Sequence, residues 1–189
     1  MTNDNTPVAP APPPAWLCLD CQLTAGGASL CRAVDGSHTF ELLARAYVST
    51  DEDHRHRAID CVGEMVRLAP AAAVGFLIVA CAQSTSVAEL CVIAAGPLED
   101  LLEAHGPLAI SHLEKVAKID PRFRLMLSGT WGADRIDPDV WSRLKAAIAP
   151  GPVVGTDPRS PAGGLIGKVA TAAEITALFA KPPALDRQH

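Results

Sequence analysis

Between His38 and Ala149 the apolar residues return every three or four positions, and that span holds none of the strict alternation of a half-buried strand. This period puts the chain in the all-α class and assigns faces to its helices. Phe40, Leu43, Ala44 and Tyr47 form one stripe. Ile59, Val62, Val66 and Ala69 form the next, on a helix capped by Thr50 with Asp51, Glu52 and Asp53 in its first turn. Ala71 to Ala82 is apolar on all sides, which predicts a central helix surrounded by the others. Ser86 and Glu89 read as a capping box ahead of Val87, Leu90, Cys91 and Ala94, with a stop at Gly96.

Proline tolerates the first helical position because its missing N–H would have no intrahelical partner there. Pro97, Pro121 and Pro138 therefore mark three more starts, the last two behind the N-cap residues Asp120 and Asp137. A Gly106-Pro107 junction separates Leu98, Leu101 and Leu102 from Ile110, Leu113 and Ala117. The result is roughly six to eight helices joined by tight turns, as a compact multi-helix bundle or a short, α-solenoid-like stack of antiparallel helix pairs.

The domain organisation follows from composition along the chain. Residues 1–15 (MTNDNTPVAPAPPPA) read as a proline-rich, polyproline-like arm without the basic start and apolar block of a secretory signal. Residues 16–37 carry cysteines, 38–150 form the all-α domain, and 151–170 are a Gly/Pro-rich linker. Residues 171–181 make a final helix, and 182–189 a tail. The longest apolar run, Leu68 to Ala82, has 15 residues, short of the roughly 20 that a membrane helix needs. A cytoplasmic setting is the expectation, with the cysteines reduced. Sixteen Lys and Arg against 21 Asp and Glu leave no basic excess for phosphates, so nucleic acid is not an expected partner, nor is a membrane.

The stretch Ala95-Gly-Pro-Leu-Glu-Asp-Leu-Leu102, then His105-Gly106, Ile110, Leu113-Glu114, Ala117, Asp120-Pro-Arg-Phe-Arg124, Leu127 and Trp131 resembles a family of small bacterial proteins, a domain of unknown function. The resemblance covers about Ile59 to Trp131 and brings no catalytic role. It implies a bacterial, helical, cytosolic protein.

Three sets of residues carry candidate chemistry. Glu99, Asp100, His105 and Glu114 could face one another across the Gly106 turn as a carboxylate–imidazole site for a small hydrolase or a metal-dependent enzyme. Their plain reading is dipole-favoured acids in an opening turn, with Glu114 and Lys118 as an i, i+4 pair. Arg122, Arg124 and Trp131, beside Glu99 and Asp100, could anchor another protein, arginine and tryptophan being enriched at interface hot spots; the plain reading has arginines tying helix ends together. Thr85 to Asp120 holds six acids and two lysines, whereas Pro121 to Lys145 holds five basic residues and three acids, a two-signed surface suited to electrostatic complementarity. Cys18, Cys21, Cys31 and His38 have the ligand types of a zinc knuckle, although only one CxxC is present.

Cys61, Cys81 and Cys91 fall on apolar faces and read as core. Ala162 to Val169 (AGGLIGKV) lacks the first glycine and the final Ser or Thr of a phosphate loop, and His54 and His56 point to different faces of a helix. The reading that follows is a non-enzymatic helical protein-interaction module with no required cofactor, for which homo-oligomerisation stays open.

Overall fold

The computed structural model describes residues 24–25, 28–29, 36–165 and 167–181. The cysteines Cys18, Cys21 and Cys31 lie outside these, as does the His38 side chain, so the zinc set falls outside the described residues. Two short strands, β1 (Thr24–Ala25) and β2 (Ala28–Ser29), pair antiparallel with Thr24 opposite Ser29. Among the described residues the remaining named elements are helices.

Helix α1 (Gly36–Tyr47) buries Phe40, Leu43, Ala44 and Tyr47, the stripe its spacing assigns. Helix α2 (Glu52–Leu68) is capped by Asp51, whose carboxylate accepts the His54 N–H at 3.0 Å, so the cap is one residue beyond Thr50. Its buried face is Ala58, Cys61, Val62, Met65 and Val66, turned by one position from the expected stripe. Ala58 and Cys61 are buried, and Ile59 is left 42% exposed.

Helix α3 (Pro70–Gln83) packs against α1 and α2 and against three helices further along: α4 (Val87–Ile93), α5 (Glu99–Ile119) and α6 (Pro121–Leu127). A helix in contact with so many others makes the fold a bundle around one centre, since in a solenoid each unit touches only its neighbours. Ser86 caps α4 through the Glu89 N–H, while the Glu89 carboxylate reaches back to the Thr85 N–H at 2.6 Å. Cys61 and Cys81 are core, but Cys91 is half-buried.

Asp120 and Asp137 cap α6 and α7 (Pro138–Ile148) as the proline starts require, each accepting two backbone N–H groups. The segment read as a linker is packed rather than loose: Val153 and Ala162 are fully buried, and Val153 pairs with Val169 in a short bridge. Helix α8 (Ala172–Ala180) follows, with a complete capping box between Thr171 and Glu174. No described helix is long and apolar enough to cross a membrane.

Candidate functional site

The sequence reading breaks the chain at Gly96-Pro97 and again at Gly106-Pro107, and the structure has a kink at each. From α4 the chain passes through one π turn (Ala94–Leu98), in which Gly96 leaves helical conformation (φ −119°, ψ −105°), and α5 is kinked at His105 (φ −139°, ψ 22°), two residues ahead of Pro107. Proline removes an i→i−4 bond, and each of these prolines sits just beyond a kink. The two kinks bracket the segment Leu98–His105, which holds Glu99, Asp100, Glu103 and His105.

Both glycines are fixed by what lies against them. A Cβ on Gly96 would stand 2.5 Å from the Tyr47 hydroxyl, and one on Gly106 would meet Val140 of α7 at 3.0 Å. Tyr47 is thus pinned over the π turn. Its burial, helped by the nearby Asp100 carboxylate, pushes its phenol up to about 12.

That value predicts a pH dependence. The folded chain holds the phenolic proton more tightly than an unfolded tyrosine near 10, so the stability tied to Tyr47 is intact below pH 10 and lost as the pH rises towards 12. Urea unfolding of the wild type should weaken over that window relative to Tyr47→Phe. Because this is the chain's one tyrosine, phenolate absorbance should report its titration directly.

Glu99 is the centre of the site. Its side chain is 8% exposed, it accepts the Trp131 backbone N–H at 3.1 Å, and it is ion-paired with Arg135, which also pairs with Glu103 one turn along α5. Gly132, at φ 117°, brings the loop close over the Glu99 carboxylate in a conformation that suits glycine. The loop so held presents Trp131, 41% exposed, with the Arg159 guanidinium 4.2 Å above its ring. Arg159 is in turn gripped by both oxygens of Asp157.

Beside this loop runs an open groove of about 840 Å³ between α2 and α5. Its walls are Gly63, Val66 and Arg67 on one side and Asp100, Glu103, Ala104, His105 and Arg135 on the other. Desolvation, with Glu103 close by, raises the Asp100 carboxyl from its ordinary value.

The groove and the Trp131 loop fall within one stretch of chain that matches a family model. The model of the Family of unknown function (DUF6869) matches residues 48–150. The chain belongs to this family. No curated protein and no solved structure matches it. The DUF6869 region runs from the end of α1 to the end of α7 and so contains Glu99, Arg135, Trp131 and every wall residue of the groove. Arg159 and α8 lie beyond it.

Of the residues singled out from the sequence, Asp100 and His105 line the groove and Glu99 sits buried behind it. Glu114 does not join them. It is drawn to α7, where Arg143 donates two bonds at 2.9 and 2.6 Å and holds its carboxyl low; Arg143 takes the place expected for Lys118. Arg122 is only 6% exposed and is fully occupied by backbone carbonyls, which is the helix-tying role rather than an open anchor. Arg124 lies half-buried along Gly151, its Nε buried and without a hydrogen bond. Trp131 and Asp100 remain exposed. Among the described residues no three His, Cys, Asp or Glu side chains are grouped so as to hold a metal ion.

Arg67, Glu103, Arg135, Tyr47 and Arg159 are residues that sequence spacing alone passes over. One signal was present: Glu99 and Glu103 are like charges at i, i+4, a mildly destabilising pair that calls for a cation from another element. Arg135 is that cation.

Proposed function

We propose that this chain is a non-enzymatic protein-recognition module whose contact face is Trp131 of the DUF6869 region with Arg159 from beyond it, together with the groove beside them. The observation that carries this reading is the use made of Glu99. Burying a carboxylate is costly unless it is paired and hydrogen-bonded, and here the pairing immobilises a loop whose product is an exposed tryptophan. A rigid aromatic side chain stacked by an arginine is the composition of an interface hot spot, and preorganisation lowers the ordering cost of binding. The two-signed groove supplies charge complementarity around it. The setting we infer is the bacterial cytosol, following the family resemblance.

An acid–base reading has its own support in the raised Asp100 carboxyl, which lines the groove on the same wall as Glu103 and His105. It would dispense with Glu114.

The test compares wild type, Trp131→Ala and Val92→Ala as baits, all at exposed positions and all checked for unchanged melting. A protein retained by wild type and by Val92→Ala, and held roughly tenfold or more weakly by Trp131→Ala, is the expected result. Equal retention by all three would overturn the assignment of the face. Loss of a turnover activity in Asp100→Asn, with binding unchanged, would favour the acid–base reading.

A further inference from the structure

The second distinctive construction lies away from Trp131, where α8 meets the bundle. Arg122 donates from one terminal nitrogen to the carbonyls of Ala82 and Ser84 (3.1 and 3.4 Å), which end α3. From the other it donates to Leu178 and Lys181 (3.2 and 3.0 Å), which end α8. Its guanidinium also lies 4.7 Å from the centre of the Phe179 ring. The last carbonyls of a helix have no intrahelical partner, and a planar fork of N–H donors satisfies two helix ends at once.

The two sides of this contact are unequal. The receiving side is part of the core: Arg122 is 6% exposed, its backbone N–H is bound by Asp120 at 2.8 Å, and one terminal nitrogen is held by the end of α3. The incoming side is lightly held. No residue of α8 is buried, and its apolar stripe of Ile175, Leu178 and Phe179 is only half covered. At nine residues α8 is too short to be a stable helix by itself in water, so its order depends on docking.

We propose that the Arg122 seat is a receptor for the C-terminal end of a short amphipathic helix with an aromatic residue in its last turn, and that α8 is its resident, exchangeable occupant. The partner that fits is a helix of another protein with the same chemistry: open terminal carbonyls for Arg122, an aromatic face for its guanidinium, and an apolar stripe to complete the half-covered one. Binding of such a helix displaces α8 and frees the chain after Thr171. This surface is independent of the Trp131 face.

Phe179→Ala in the full chain tests the seat without touching the core. Amide hydrogen exchange in α8 should rise about tenfold, equivalent to roughly 1.4 kcal/mol, while exchange in α3 and α5 stays as in wild type. A synthetic peptide with the sequence of residues 170–182 should bind the Phe179→Ala chain about tenfold more tightly than wild type, in which the tethered helix competes. Adding Arg122→Lys should abolish that binding, because an ammonium cannot bridge two carbonyl ends in the same geometry. Unchanged α8 exchange in Phe179→Ala would overturn the proposal, as would equal peptide binding to all three chains. Concentration-dependent dimerisation through α8 would overturn the choice of partner, making a second copy the occupant.

Discussion

Arg135→Ala is expected to destabilise the domain by roughly 2 to 3 kcal/mol and to lower its melting temperature by about 5 to 10 °C. The size follows from what is left behind. Glu99 keeps the Trp131 N–H, but its carboxylate, 8% exposed, loses its counter-charge, and an uncompensated buried charge is a far larger penalty than a lost surface pair. Full burial of both partners would give roughly 3 to 5 kcal/mol, but the Arg135 side chain is 46% exposed and water screens part of the pair. Relief should come from removing the charge. Glu99→Gln together with Arg135→Ala is expected to be more stable than Arg135→Ala alone, giving a coupling term of opposite sign to the single losses in a double-mutant cycle. Denaturant midpoints of the four chains check this; a double variant no better than Arg135→Ala would show that the arginine acts through its aliphatic packing instead. The same cycle bears on recognition, because Trp131 is held by one oxygen of the Glu99 carboxylate and Arg135 by the other.

The bundle was readable because its signals are local. Aspartate before proline, a Ser or Thr three residues before an acid, and apolar residues at helical spacing each act within one or two turns. Asp120-Pro121, Asp137-Pro138 and Thr171–Glu174 all perform in the structure as their chemistry dictates. The two Gly-Pro steps act locally as well: helical conformation is interrupted at Gly96 and at His105, and it resumes beyond each, with α5 packed between α3 and α7.

The site was less legible because its pairs are long-range. Glu99 and Arg135 are 36 residues apart, and Glu114 and Arg143 are 29 apart. Nothing in the spacing of Glu99, Asp100, His105 and Glu114 says which acid turns inward, which faces the groove, and which is taken by another helix. Arg122 carried a clearer hint in Asp120-Pro-Arg, an arginine in the first turn of a short helix. Its carbonyl partners, on α3 and α8, could be known only from the packing.

The sharpest test of how the π turn positions the acidic segment is Gly96→Ala, expected to cost about 1 to 3 kcal/mol. The added methyl carbon would stand 2.5 Å from the Tyr47 hydroxyl, well inside contact distance, and neither group has an easy escape. Tyr47 is 7% exposed with its ring set edge-on against Phe76 at 6.0 Å, and Gly96 is fixed by the helices on either side of the turn. Because the clash is with one oxygen atom, it should be reversible by deleting that atom. Tyr47→Phe in the Gly96→Ala background is expected to recover most of the lost stability, although Tyr47→Phe in the wild type changes it little at neutral pH, the hydroxyl there being un-ionised. If the double variant melts no higher than Gly96→Ala, the requirement for glycine lies in the backbone of the turn itself. Recovery would instead establish that Tyr47 and Gly96 are matched across the interface between α1 and the π turn, and that this match sets the angle at which Glu99 and Asp100 enter α5.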